Sequence, residues 1–226
     1  MGRGVDQRWV AAEVEELRVA SGMLEAALEE APTPEVSERV ILARLRRRDR
    51  QAFELLVRRH QDRVYDFCLR MLGDPEEAHD LVQEIFVSVH QNLGNFRMDA
   101  KLSTWIFRIS KNHCLNRLKY LNRRGRGRSR EYGEVVEAEL ESAVGTAVRP
   151  DQALDSARER ALVHRAIAQL EVDQRTLVVL RDIEQLSYEE IVAITDLPEG
   201  TVKSRLHRAR EKLAEIIGAS EARGGE

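Results

Sequence analysis

Between residues 125 and 155 the helical apolar periodicity of this chain stops, and that interruption constrains the fold more than any other feature. The stretch alternates Gly with Arg in "GRGRSR", then turns acidic and ends near Pro150. A run without a sustained apolar stripe has no face to bury, so it reads as a flexible linker. Its roughly 30 residues could extend to about 100 Å at 3.3–3.6 Å per residue. The 226-residue chain is therefore expected to build two small cores.

Both flanks carry helical spacing. From about Ser37 to Tyr120, Phe53, Leu56, Val57, His60, Val64, Phe67, Cys68 and Met71 form one apolar stripe. "GDPEEA" (Gly73–Ala78) predicts a turn with Pro75 opening the next helix, which presents Ala78, Leu81, Val82, Ile85, Phe86 and Val89. "NLGNFRMDAKLST" follows as a loop. Ser103 or Thr104 is expected to cap the helix that buries Trp105, Ile106 and Ile109. Upstream, Val10, Val14, Leu17, Leu24 and Leu28 mark an acidic amphipathic helix that ends before "APTPE". Downstream, a second helical domain carries Ala161, Leu162, Ile167, Leu170, Leu177, Val178 and Leu180. The expected organisation is an all-α chain with an acidic extension over 1–37, a helical domain over 38–124 and a linker over 125–155. A second helical domain over 156–218 ends in a helix-turn-helix, and 219–226 form a disordered tail. With aromatics at 5% and charged residues at 33%, the composition fits a soluble helical protein better than an extended sheet.

A net charge of −3 conceals strong segregation. Arg97 to Arg130 holds eleven Lys/Arg against one acid, Asp99. Glu131 to Asp155 holds seven acids against Arg149, and the first 38 residues hold nine acids against three Arg. Such blocks suggest a polyanion-binding surface beside acidic segments.

"LSYEEIVAITDLPEGTVKSRLHRAREKL" (Leu186–Leu213) reads as two helices joined by a turn at Asp196 to Gly200, with Pro198 in a first helical turn. At about 100° per residue, Val202, Leu206, Ala209 and Leu213 share a narrow arc facing the domain. Lys203, Ser204, His207 and Arg208 lie opposite, flanked by Arg205 and Lys212. Such a helix suits the major groove, where cations neutralise phosphates and Arg or Lys can bond guanine edges.

In the first domain, Asp80, Gln83 and Glu84 share an exposed face opposite Leu81, Ile85 and Phe86. Phe96 and Trp105 then precede Arg108, Lys111, Asn112, Asn116, Arg117 and Lys119. Aromatics beside Lys, Arg and Asn suit single-stranded DNA: rings stack on unpaired bases, amides read base edges and cations hold phosphates.

On these three motifs, "DLVQEIF", the Trp105 segment and the Leu186–Leu213 stretch, the chain resembles an extracytoplasmic-function sigma factor of bacterial RNA polymerase. The likeness spans about residues 38–217 and implies these roles. Asp80, Gln83 and Glu84 would dock on the clamp helices of the polymerase β′ subunit, with the β subunit as a further contact. Asn95, Phe96, Arg97, Lys101 and Ser103 would lie on the loop that receives a flipped −10 base. Trp105, Arg108, Lys111, Asn112, Asn116 and Lys119 would line the melted strand. Thr201, Lys203, Ser204, Arg205, His207 and Arg208 would lie on the −35 duplex. The resemblance implies partners (core polymerase, promoter DNA and an anti-sigma factor) and no cofactor, catalytic residue or metal. The N-terminal extension exceeds the family's minimal form, and its acidity suggests that it restrains a basic surface or docks on another protein.

Two other readings compete. A stand-alone helix-turn-helix regulator would bind duplex DNA as a dimer without polymerase. A DNA-processing enzyme would need a carboxylate cluster for metal or a nucleophile beside a base. The six histidines are scattered, and the two cysteines, Cys68 and Cys114, read as buried reduced thiols without ligand spacing. No apolar run approaches the roughly 18–20 residues of a membrane span, and the first residues lack a signal core. The expected location is the cytoplasm.

Overall fold

The computed structural model describes residues 38–47, 49–96, 100–124 and 162–224. The extension, the linker, Arg97 and Ala161 lie outside the described residues. Every regular element among those described is helical.

The first domain comprises α1 (Glu38–Arg46), α2 (Arg50–Leu72), α3 (Pro75–Asn92) and α4 (Leu102–Arg123). Each start and stop has a local cause. Asp49 caps α2 by accepting from the Gln51 and Ala52 amides, and Gly73 ends it in a left-handed conformation (φ 69°). Asp74 caps α3 by accepting from the Glu76 and Glu77 amides, and Pro75 occupies the first helical position, as "GDPEEA" predicts. Helices α2, α3 and α4 pack on one another around Phe67, Ile85, Phe107 and Cys114. The Phe67 and Phe107 rings meet edge-to-face at 5.6 Å between centroids. Cys68 and Cys114 are free thiols in this core, with sulfurs 3.7 Å apart.

One helix start differs from expectation. Helix α4 begins at Leu102 with Lys101 as its cap residue and no side-chain cap bond, so neither Ser103 nor Thr104 caps it. Thr104 is instead buried in the first turn, its hydroxyl 3.5 Å from the Glu190 carboxylate.

The second domain comprises α5 (residues 162–169), α6 (Val172–Val178, continuing as a π turn over Val179–Ile183), α7 (Tyr188–Thr195) and α8 (Glu199–Gly224). A reciprocal capping box starts α7, Ser187 with Glu190, and Asp196 ends it in the left-handed region (φ 59°). The turn into α8 is therefore only Asp196–Pro198, because Gly200 already lies in the helix. The predicted inner arc of α8 holds: Val202, Leu206, Ala209 and Leu213 are all buried. This helix runs to Gly224, past the predicted boundary at residue 218.

The two domains pack together, α7 against α4 and α6 against the end of α2. Each domain supplies a cation to the other's helix terminus. Arg175 Nη1 donates to the Met71 carbonyl at 2.8 Å, in the last turn of α2. Lys111 Nζ donates to the Ile194 carbonyl at 3.0 Å, in the last turn of α7. Carbonyls at helix ends lack intrahelical partners, and a cation there also meets the negative end of the helix dipole.

Candidate nucleic-acid interface

Three surfaces arise from the way these helices bury their apolar arcs. On α3, burial of Ala78, Leu81, Ile85 and Val89 leaves Asp80, Gln83, Glu84 and Val87 exposed on one outer face. Val87 is 57% exposed, an apolar residue at the centre of that face that charge-based reasoning passes over. The Gln83 amide lies 3.4 Å from His79 one turn before it.

On α4, burial of Leu102, Ile106, Phe107, Ser110 and Cys114 turns Arg108, Asn112, Asn116 and Lys119 outward, with half-buried Trp105 at the head of the same stripe. Their three- and four-residue spacing keeps them on one helix face. Asn95 is exposed before the helix, as is Lys101 at its start, and Ser103 is half-buried. Phe96, expected on the base-receiving loop, lies inward in this arrangement. It is only 4% exposed and packs on Trp105, ring centroids 5.2 Å apart, so it supports the tryptophan from beneath.

Arg117 likewise departs from expectation. Proximity in sequence grouped it with the DNA-facing cations, but its guanidinium turns to α3, where it bonds Glu77 and, at 2.7 Å, Glu84. The helical repeat places it away from the Arg108–Lys119 stripe.

On α8, Lys203, Ser204, His207 and Arg208 are exposed and Thr201 and Arg205 are half-buried. Lys203 Nζ lies 2.6 Å from Glu199 one turn back and 5.2 Å from the Tyr188 ring centroid. Arg205 leans toward Asp173 at 3.3 Å, while Arg210 is anchored on Asp182. The exposed face therefore sits on a helix fixed from behind.

Sequence reasoning missed the seam between the domains. Arg108 Nη2 contacts both oxygens of Asp196 at 3.0 Å, and Lys101 Nζ pairs with Glu190 at 3.0 Å. Burial alone would raise the Glu190 carboxyl, yet the Ser187 amide and Lys101 hold it below its usual range. Burial pushes the Lys111 ammonium down, with Asp196 opposing. Three of the cations expected on the −10 strand, Lys101, Arg108 and Lys111, are thus engaged by the second domain. Arg63 adds a bond to the buried carboxylate of Glu184 at 3.0 Å. No signal in one sequence could pair residues more than 80 positions apart.

Among the described residues, no group of three or more His, Cys, Asp and Glu could hold a metal ion. None of the described helices is long and apolar enough to cross a membrane.

Family comparisons agree with this division. The model for sigma-70 region 2 matches residues 56–124, and that for sigma-70 region 4 matches residues 160–213. The RNA polymerase sigma-H factor of Pseudomonas aeruginosa is 36% identical over 177 residues, 78% of this chain and 92% of that protein. The ECF RNA polymerase sigma-E factor of Escherichia coli K12 is 37% identical over 182 residues, 79% of this chain and 93% of that protein. Among solved structures, CnrH in complex with the cytosolic domain of CnrY matches with TM-score 0.57 at 24% identity. That match covers 80% of this chain and 97% of the other. The sigma factor RpoE of Bartonella quintana, in complex with the anti-sigma factor NepR, matches with TM-score 0.55 at 24% identity over 74% and 96% of the two chains.

Proposed function

The chain belongs to the extracytoplasmic-function branch of the sigma-70 family, and from that premise we propose how its surfaces divide the work of starting transcription. The protein is a sigma factor that binds core RNA polymerase and directs promoter-specific initiation. The outer face of α3 docks on the β′ clamp helices through Asp80, Gln83 and Glu84. The α4 stripe holds the melted −10 strand, with Trp105 at its head and Arg108, Asn112, Asn116 and Lys119 along it. The exposed face of α8, Lys203 to Arg208, enters the −35 major groove. RNA synthesis belongs to the polymerase, and the chain acts in the cytoplasm without a cofactor of its own.

The observation that carries this reading is the outward stripe of a half-buried tryptophan, two exposed amides and two exposed cations on α4, in a domain separate from the α8 helix. A stand-alone duplex reader has no use for a second, strand-binding surface. In the packed arrangement Arg108 and Lys111 are held by α7, so promoter engagement exchanges Asp196 and the Ile194 carbonyl for phosphates. An anti-sigma factor that favours the packed arrangement would restrain the protein; one structural relative, the sigma factor RpoE of Bartonella quintana, is itself bound to the anti-sigma factor NepR. In vitro transcription with core polymerase on a promoter library tests the reading. Promoter-specific transcripts are expected only when this protein is added, whereas duplex binding with no effect on core would favour a regulator.

A further inference from the structure

Arg117 stands out because it is the α4 cation that faces the polymerase-docking helix instead of DNA. Its two terminal nitrogens serve two carboxylates of α3. Nη1 bonds Glu77, and Nη2 donates to Oε1 of Glu84 at 2.7 Å. The surroundings are graded: the side chains of Arg117 and Glu77 are 17% and 22% exposed, whereas Glu84 remains 56% exposed. A planar guanidinium held on one side by a half-buried carboxylate is fixed in direction, so it presents a fixed donor to the second.

We propose that Arg117 is a positioning residue for polymerase docking, aiming the Glu84 carboxylate at the polymerase while Glu77 anchors Arg117 from beneath. The proposal rests on the assignment of Glu84 to the docking face. A carboxylate accepts at two oxygens with about four lone-pair sites, so a bond at Oε1 leaves Glu84 capacity for a donor on the polymerase. Two carboxylates share one guanidinium, so the cluster keeps a net negative charge toward a cationic partner. His113, one turn before Arg117, does not cancel it. Burial pushes its imidazole below the ordinary value despite Glu84, and Arg117 adds to the effect, which favours the neutral form. Without Arg117, Glu84 would have to be immobilised on docking, which costs side-chain rotamer entropy and weakens the complex.

The test measures affinity of the full chain for bacterial core polymerase by fluorescence anisotropy. The variants are Arg117→Ala, Arg117→Lys, Glu84→Ala and the double Glu84→Ala/Arg117→Ala, each checked by thermal melting. Arg117→Ala should weaken core binding roughly three- to tenfold, the worth of one immobilised side chain. Lysine should restore part of it. In the Glu84→Ala background the Arg117→Ala step should lose its effect on core affinity, even where melting falls equally in both backgrounds through loss of the Glu77 pair. An equal loss of core affinity in both backgrounds would reduce Arg117 to a support of the fold and overturn the proposal. Unchanged affinity for Arg117→Ala would overturn it as well. If Glu84→Ala itself binds core normally, the docking assignment fails first and the proposal falls with it.

Discussion

Neutralising Glu190 and Asp196 together should open the seam between the domains and free the proposed −10 surface. The substitutions Glu190→Gln and Asp196→Asn change charge with little disturbance of the backbone. Gln can replace Glu in the capping box with Ser187, and Asn tolerates the left-handed conformation that Asp196 adopts at φ 59°. The Arg108–Asp196 pair is about half exposed on each side, and Lys101 is 70% exposed beside Glu190 at 17%. Partly exposed pairs of this kind contribute about 0.2–1 kcal/mol each, so their combined loss is about 0.5–2 kcal/mol. That corresponds to a shift of roughly two- to thirtyfold toward the open state.

The assay has two readouts. Energy transfer between dyes on exposed Arg58 and Glu215 follows the separation of the domains. Affinity for a −10 non-template oligonucleotide follows release of Arg108 and Lys111. Both should change in parallel at low salt, and the difference from wild type should shrink at 1 M salt, where the screening length is about 3 Å. Unchanged energy transfer would refute a holding role for the two carboxylates. Opening without a gain in oligonucleotide binding would refute occlusion of the strand-binding surface.

Three other outcomes are expected. His60 is held down to about 4 by burial, with Arg63 and Arg59 adding to it. Because its folded value is depressed, its contribution is complete above pH 6.5 and is lost as pH falls toward 4, by about 2–3 kcal/mol. Melting temperature should therefore fall more between pH 7 and 5 in wild type than in His60→Gln. Ser187→Ala removes the cap of α7 and should cost about 1 kcal/mol in denaturant unfolding. In holoenzyme binding to a −35 duplex, Arg208→Ala should cost about 1–3 kcal/mol at the base it reads and relax preference there, while Lys203→Ala should lower the salt slope by about one. Uniform weakening across sequences for both would show that neither reads bases.

Sequence and structure agree for most features whose cause lies within one helix, the cap of α4 being the exception. The inner arcs of α3 and α8 follow from spacing alone, because burying Leu81 and Ile85, or Val202 and Leu206, dictates which neighbours face out. Caps at Asp74 and Ser187 are equally local, the side chain bonding amides two or three residues away, although neither is named as a cap from the sequence. Direction fails where partners are distant. Arg117 sits one residue from Asn116 and two from Lys119, yet its partners lie 33 and 40 positions upstream. Phe96 has the chemistry of a stacking platform, and only the packing of Trp105 over it removes it from the surface. The seam between domains was illegible for the same reason, being made by residues on opposite sides of the linker.

The seam combines apolar packing with buried charge, since the buried apolar residues of the two domains form one continuous cluster. Its buried part includes Arg70, 7% exposed, with Nε and Nη1 lacking hydrogen-bond partners and Asp66 3.4 Å away. Across from it, burial pushes the Glu184 carboxyl up, with Arg63 and Arg70 opposing. Charges buried in this way recover hydration when the surfaces part, so the closed state gains less from them than from an apolar contact of equal area. Replacing Glu184 by Leu would leave Arg63 without its counter-charge and destabilise the closed form. Around that apolar cluster, ion pairs and borrowed helix-end carbonyls hold cations that also suit phosphate, so DNA competes for them by offering a denser anion.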